Sequence, residues 1–126
     1  MELQSDLRTR YLKLENLHVP SGNFCLSEFR VFGTAGGEAP KAVKKLEVKR
    51  DKADTRNAMI EWEAVDGAYG YNIYYGIEPG KMYNAITVYG DTEYDMRGLD
   101  KDTEYYFTIE ALNESGKSSL SRTIKI

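Results

Sequence analysis

Hydrophobic and polar positions alternate with a period of two through most of the chain after Val43. Short runs rich in Val, Ile, Thr, Tyr and Trp are separated there by Gly, Asn and Asp. No window keeps apolar residues at helical spacing for three turns. The pattern predicts seven strands, at Val43–Arg50, Asn57–Glu63, Tyr69–Tyr75, Met82–Tyr89, Thr92–Met96, Thr103–Leu112 and Ser119–Ile126. Seven short strands at this spacing are typical of a small all-β sandwich.

The alternation also predicts which side chains enter the core. One face of the second, third and sixth strands is apolar, and we expect it to point inward: Ala58, Ile60, Trp62, Tyr71, Ile73, Tyr75, Tyr105, Phe107, Ile109 and Ala111. We expect the opposite set to face water: Met59, Glu61, Glu63, Asn72, Tyr74, Tyr106, Thr108 and Glu110. Burying one Trp or Phe stabilises by ~2–3 kcal/mol, so this register is strongly favoured.

The last predicted strand breaks the alternation. Arg122 falls on the inward face together with Leu120, Ile124 and Ile126. A bulge, or a strand that begins late, would remove the conflict.

Two further strand-like runs, Arg10–Leu17 and Phe24–Phe32, precede a Gly-rich stretch that ends at Pro40. The turn sequence Pro20-Ser-Gly-Asn23 joins them and predicts an additional N-terminal β-hairpin. A lone hairpin is marginal in water, so the sandwich or a second copy of the chain must cover its apolar side. The residues that would drive such self-association are Tyr11, Leu12, Leu14, Phe24, Phe29 and Phe32.

Composition excludes several function classes. A chain of 126 residues suits one domain of about 100 residues plus a short addition. The net charge of −3 argues against nucleic acid, and no apolar run approaches the ~20 residues that cross a bilayer. No basic and apolar leader follows Met1, so we expect no export signal in this segment.

Few residues could carry a reaction. His18 is the sole histidine and Cys25 the sole cysteine, which excludes an internal disulfide. They could form a nucleophilic dyad, but we interpret both as ordinary hairpin residues. Glu61 and Glu63 lie about 6.5–7 Å apart along one strand, within the range of glycosidase carboxylates. They should nevertheless lie on a solvated face, so we predict no catalytic residue.

Metal and cofactor sites are equally unsupported by the sequence. The acidic residues Asp91, Asp95, Asp100 and Asp102 lack the Gly and the closing Glu of a calcium loop. No phosphate-binding Gly loop is present. We therefore predict neither a metal nor a cofactor.

The stretch from Trp62 to Ile126 resembles a fibronectin type III domain. The resemblance rests on Trp62, on Gly70-Tyr-Asn-Ile-Tyr-Tyr75, on Tyr94-Asp-Met-Arg-Gly-Leu99 and on Tyr105. It implies a seven-stranded immunoglobulin-like sandwich in which the Tyr105 hydroxyl bonds to the preceding loop. Lys101 departs from the family, which usually has Pro there.

In this fold the third, fourth and sixth strands share one sheet, which would bring outward tyrosines together. The candidate contact residues are Tyr74, Tyr83, Tyr89 and Tyr106. Aromatic faces stack on sugar rings and anchor protein interfaces. We favour simple cross-strand pairing, each pair worth ~0.2–1 kcal/mol, over an interdomain contact and over a glycan platform.

The N-terminal runs resemble the last two strands of a discoidin-type (coagulation factor C-terminal type) domain. Together the two resemblances imply a discoidin-like fragment at 1–34, a linker at 35–41 and a fibronectin type III-like domain at 42–126. This order is similar to the C-terminal region of bacterial β-xylosidase or arabinofuranosidase-class glycoside hydrolases. It implies a non-catalytic spacer or docking module of a larger secreted enzyme.

The same resemblance implies the partners and the location. We expect contacts with neighbouring domains and with polysaccharide, but none with nucleic acid or membrane. The parent would be secreted, periplasmic or on the cell surface. The alternative function is a carbohydrate-binding module that uses the tyrosine face.

Overall fold

The computed structural model describes residues 9, 11–20, 22–26 and 36–126. The chain divides into two compact units, Met1–Phe32 and Gly33–Ile126, and each is described by itself. In the second unit the strands are β1 (Leu46–Arg50), β2 (Ala58–Trp62), β3 (Gly70–Gly76), β4 (Asn84–Tyr89), β5 (Glu93–Met96), β6 (Tyr106–Asn113), β7 (Gly116–Lys117) and β8 (Ile124–Lys125). The described ranges contain no helix.

The strands form two antiparallel sheets that enclose one core. The three-stranded sheet has the order β1-β2-β5, and the larger sheet has the order β4-β3-β6-β7, with β8 also paired to β6. Ile60 from one sheet and Ile73, Phe107 and Ile109 from the other are completely buried between them. The predicted all-β sandwich is confirmed.

The predicted inward face is also confirmed. Trp62 is 6% exposed, and its ring meets the edge of Tyr71 at a centroid distance of 5.3 Å and an interplanar angle of 62°. The Tyr71 hydroxyl accepts a hydrogen bond from the Val65 amide at 2.9 Å. Tyr75 is half-buried, and its ring stacks on Phe107 at 5.7 Å. Aromatic contacts of this kind add about 0.5–1.5 kcal/mol beyond the area buried.

The loop before β6 forms the tyrosine corner that the family resemblance implies. The Tyr105 hydroxyl accepts a hydrogen bond from the Asp100 amide at 3.3 Å and donates to Asp100 Oδ2 at 3.2 Å. The Arg50 guanidinium lies over the Tyr105 ring, 5.5 Å from its centroid, and donates to the Asp100 carbonyl at 3.2 Å. Arg50 therefore links the end of β1 to this loop, although Lys101 replaces the usual Pro.

Only Ile124–Lys125 (β8) is a regular strand within the predicted strand Ser119–Ile126, and an irregular stretch separates β8 from the short β7 that precedes the predicted strand. Leu112 of β6 pairs with Lys117, and Phe107 pairs with Ile124, so the last segment has two more residues between these points than β6 has. Each extra residue is a bulge of the kind predicted near Arg122. As a result Leu120, which we expected in the core, is 52% exposed, and this prediction is wrong.

Serine hydroxyls repair the backbone pairing where the last segment bulges. The amides of Ala111 and Ile109 donate to Ser118 Oγ at 2.9 Å and to Ser121 Oγ at 3.1 Å. The amides of Ser118 and Ser121 donate back to the carbonyls of the same two residues, each at 2.8 Å. The buried backbone of β6 therefore stays satisfied although the partner strand is irregular.

The predicted N-terminal hairpin is not reproduced where the structure describes the chain. Residues 11–20 and 22–26 carry no strand, although the Gly22 amide donates to the Val19 carbonyl at 3.2 Å in a turn. Of the apolar residues expected there, Tyr11, Leu12, Leu14 and Phe24 are exposed. Arg10, Phe29, Phe32 and the rest of 27–35 lie outside the described residues. The assignments 1–34, 35–41 and 42–126 stay predictions.

Candidate functional site

A row of polar side chains crosses the outer face of the five-stranded sheet. Strand register places Asn72 of β3 between Thr87 of β4 and Glu110 of β6. Thr87 Oγ1 donates to Asn72 Oδ1 at 2.8 Å, and Asn72 Nδ2 donates to Glu110 Oε1 at 2.8 Å. The Tyr74 hydroxyl donates to the same oxygen at 2.8 Å, and Lys117 Nζ lies 2.8 Å from it. We call these five residues the Glu110 network.

The outer face is more enclosed than the alternation predicts. Glu110 is 8% exposed and Thr108 is 2% exposed, whereas both were expected to face water. β6 lies between β3 and the last segment, and hydrogen-bonding side chains on both sides cover its outward residues. Thr108 Oγ1 donates to the Ser121 carbonyl at 3.0 Å, for example. Tyr74 and Tyr106, also expected to face water, are half-buried.

The electrostatics of the Glu110 network keep its carboxyl ionised. Burial pushes the pKa of Glu110 upward, but the hydrogen bonds from Lys117, Asn72 and Tyr74 outweigh burial and leave the pKa below its ordinary value. The Glu110 carboxylate in turn raises the pKa of Lys117. A carboxyl that stays ionised at neutral pH is unsuited to donate a proton as a general acid. Donors of its own sheet therefore hold the Glu110 carboxylate as an anion.

Beside this network an aromatic pair presents flat, open surface. The rings of Tyr69 and Tyr89 are nearly parallel, with centroids 6.0 Å apart and an interplanar angle of 14°. Tyr89 is 65% exposed and Tyr69 is 46% exposed. Gly70 lies opposite Tyr89, and a Cβ there would stand 2.7 Å from Tyr89 Cδ1, so glycine lets the ring lie against the sheet. We call Tyr69 and Tyr89 the tyrosine platform.

The four predicted tyrosines occupy different rows of this sheet. Tyr106 is opposite Gly76, Tyr74 is opposite Thr108, and Tyr89 lies over Gly70. Tyr83 is 84% exposed and precedes β4. None of the ring pairs described in residues 36–126 joins two of the four. The cross-strand pairing that we favoured for these tyrosines therefore does not form among them. Their role in binding stays a prediction.

Sequence reasoning missed Tyr69, because strict alternation places it on the same inward face as Tyr71. β3 begins only at Gly70, so Tyr69 precedes the strand and its side chain does not follow the inward and outward alternation of β3. No pattern in the sequence marks this one-residue boundary.

The residues considered for chemistry do not form an enclosed site. His18, Cys25, Glu61 and Glu63 are all exposed. In the described ranges no group of three or more His, Cys, Asp or Glu residues could hold a metal ion. The same ranges contain no helix long and apolar enough to cross a membrane.

Comparison with known proteins identifies the family of the chain and one protein of similar sequence. Residues 39–126 match the model of the fibronectin type III domain. The chain is also 29% identical over 113 residues to the tail tube protein gp17.1* of Bacillus phage SPP1, which covers 87% of this chain and 40% of that protein. The family match begins only at residue 39, so the similarity to the tail tube protein includes part of the preceding segment as well. The chain spans less than half of that relative's length.

Solved structures share the fold at low identity. The FN1–FN3 domains of chicken CNTN1 are 24% identical with a TM-score of 0.62, covering 70% of this chain and 32% of that one. A Fn3-like protein from Clostridium thermocellum is 24% identical with a TM-score of 0.60, covering 72% of this chain and 92% of that one.

Proposed function

Because the chain belongs to the fibronectin type III family, we propose that it works as a non-catalytic module that docks or spaces a neighbouring part of a longer protein. The observation that carries this proposal is the Glu110 network. Glu110, the most buried carboxyl of the sandwich, accepts hydrogen bonds from Asn72 and Tyr74 and pairs with Lys117, all in its own sheet. Such a group serves stability and leaves no free acid or base for a substrate.

The parent protein that we propose is a tube-forming protein similar to a phage tail tube protein. Support comes from the similarity to gp17.1*, which extends beyond the sandwich into the segment before residue 39. The same observation weighs against the secreted glycoside hydrolase parent, because part of the segment that resembles a discoidin-type hairpin is also similar to a tail protein. The secreted or cell-surface location stays a prediction.

Fractionation of native extracts distinguishes a tube-forming parent protein from a glycoside hydrolase parent. Antibodies raised against the purified chain would be used to follow the protein through a density gradient after induction of phage particles. We expect the antigen to co-sediment with particles and to label their tails in electron microscopy. Antigen found only in soluble fractions that cleave aryl-xylosides would contradict the tube parent and restore the enzyme parent.

A second candidate function is glycan binding, and the tyrosine platform favours it. Two nearly parallel, largely open rings provide the flat apolar surface on which a sugar ring stacks. Asn72 and Thr87 lie one row away and offer polar groups beside the stacked ring. This surface differs from the one predicted, because it needs Tyr69 and keeps only Tyr89 of the four predicted tyrosines, leaving out Tyr74, Tyr83 and Tyr106.

Affinity electrophoresis in gels that contain xylan or arabinan tests the glycan hypothesis. If it is correct, the polysaccharide retards the chain, and both Tyr69→Ala and Tyr89→Ala remove the retardation. Tyr83→Ala is the matched control, because Tyr83 is more exposed than either platform tyrosine but lies outside the platform. Equal mobility of all four proteins with and without polysaccharide would exclude glycan binding by this surface.

A further inference from the structure

The sandwich has four outer edges, and one of them differs from the rest. The β1 edge carries Glu47 and Lys49, and the β5 edge carries Glu93 and Asp95. The remaining edge of the larger sheet is interrupted by the bulges between β7 and β8 and carries lysine in both strands. Charges and bulges of this kind are the usual means by which edge strands avoid pairing with another chain.

The β4 edge has none of these protections. Its six residues, Asn84-Ala-Ile-Thr-Val-Tyr89, include no charge, no proline and no bulge. β4 lies at the end of the strand order, and no strand in the described ranges pairs with its outer side. Ala85, Thr87 and Tyr89 are exposed, while Ile86 and Val88 are half-buried against the core.

The pairing with β3 determines which backbone groups of β4 remain free. The Gly90 amide donates to the Tyr69 carbonyl in the same register as the β3–β4 ladder. In an antiparallel pair only every second residue exchanges hydrogen bonds with the partner strand. Asn84, Ile86 and Val88 therefore bond to β3. The N–H and C=O groups of Ala85, Thr87 and Tyr89 point outward.

We propose that β4 pairs with β4 of a second copy of this chain, antiparallel across a two-fold axis that passes beside Thr87. In this register Thr87 faces Thr87 of the second copy, and Ala85 faces its Tyr89. All three outward residues of each copy then exchange backbone hydrogen bonds, and the two larger sheets become one continuous sheet.

Side chains on both faces suit this self-pairing. On the outer face a Thr–Thr pair is favourable, and the small Ala85 leaves room for the Tyr89 ring that lies against Gly70. On the inner face Ile86 meets Val88 of the second copy and covers apolar surface that is half-open in the single chain. Because β4 has no charge, no like charges are brought together by the two-fold axis.

Charge substitutions at Thr87 test the proposal with the full chain. Light scattering after size exclusion should show a concentration-dependent dimer for the wild type and a monomer for Thr87→Lys and for Thr87→Glu. An equimolar mixture of the two variants should regain a dimer, because opposite charges then meet at the axis. Thr123→Lys is the control, since Thr123 is exposed in the bulged segment and should leave the dimer intact.

Hydrogen exchange supplies a residue-level readout. In the wild-type dimer the amides of Ala85, Thr87 and Tyr89 should be protected, and in Thr87→Lys they should exchange at least tenfold faster. A wild type that remains monomeric at every soluble concentration would overturn the proposal. A dimer that Thr87→Lys leaves unchanged would also overturn it, and would point to the exposed N-terminal apolar residues instead.

Discussion

The outer faces of the two sheets follow the same two-residue alternation but lie in opposite environments. On the three-stranded sheet Glu61 is exposed, and register places it between Glu47 and Glu93. On the five-stranded sheet Glu110 is buried beside Asn72, with Lys117 on its other side. The carboxylates of Glu47, Glu61 and Glu93 repel one another and extend into water. The Glu110 carboxylate is instead surrounded by hydrogen-bond donors, which allow it to be buried.

This difference shows that alternation assigns a residue to a face but does not determine its burial. Burial depends on the chemistry of the cross-strand neighbours, which is known only after strand order and register are known. Substitutions in the shared core, in the Glu110 network and on the solvated face should therefore remove very different amounts of stability.

Removing the core that both faces share should have the largest effect. Trp62→Ala deletes a side chain that is 6% exposed and packs on Tyr71. Large-to-small changes of this kind cost about 3–5 kcal/mol. Urea titration followed by circular dichroism should show that most or all of the folding free energy is lost. A variant that keeps more than half of the wild-type stability would mean that Trp62 does not anchor the core.

Removing the buried carboxylate should cost about 2–3 kcal/mol, because Glu110→Ala leaves Lys117, Asn72 and Tyr74 without their shared acceptor. The matched change on the other face, Glu61→Ala, should alter the free energy of unfolding by no more than about 0.5 kcal/mol. Chemical denaturation of both variants under one condition makes the comparison. Equal losses would contradict the contrast between the faces.

The serine hydroxyls that hydrogen-bond to β6 in the bulged segment should contribute less to the free energy of unfolding than the Glu110 carboxylate. Ser118→Ala removes the hydroxyl that accepts the Ala111 amide at 2.9 Å, and it should cost about 1–2 kcal/mol. Ser119→Ala is the control, because Ser119 is exposed and only its carbonyl takes part in a hydrogen bond. In thermal unfolding, the midpoint temperature of Ser118→Ala should be lower than that of the wild type, and the midpoint temperature of Ser119→Ala should be unchanged. Identical midpoints would mean that another group satisfies the Ala111 amide.

Neutralising the exposed carboxylates should have the smallest effect. Glu61→Gln combined with Glu63→Gln keeps side-chain shape on a solvated face, where substitutions stay within about 0.5 kcal/mol. Glu63 has only a long contact of 3.8 Å with Lys45, an exposed pair that contributes little. The measurement is the same urea titration. A loss larger than that of Glu110→Ala would mean that the strand register assigned to β2 is wrong.

The fold was largely predictable from the sequence because its main strands obey one rule. β2, β3 and β6 alternate cleanly, so the inward positions of Ile60, Ile73 and Phe107 were all predicted correctly. The end of the chain was harder, because the bulges shift its phase twice. Only the conflict at Arg122 revealed in advance that such a shift was needed.

The candidate sites were less predictable, for physical reasons that lie outside any single strand. The burial of Glu110 depends on Asn72, which is 38 residues away along the chain, and on Lys117 of β7, and these side chains meet only through the strand order and register. The tyrosine platform depends on the start of β3 at Gly70 and on the missing Cβ there. The free backbone groups of β4 become visible only once the strand order places β4 at an edge.

NMR of the Glu110 carboxyl carbon as a function of pH tests whether the donors of the Glu110 network hold this buried carboxylate in its ionised form. Burial acts to raise its pKa, but the hydrogen bonds win, so the midpoint should fall below the ordinary value of 4.5. The folded state then binds fewer protons than the unfolded state, and the stability that Glu110 contributes is present above that value and lost as the pH falls through the lower, folded pKa. A midpoint below 4.5 is the predicted result, and a midpoint at or above 4.5 would contradict the account.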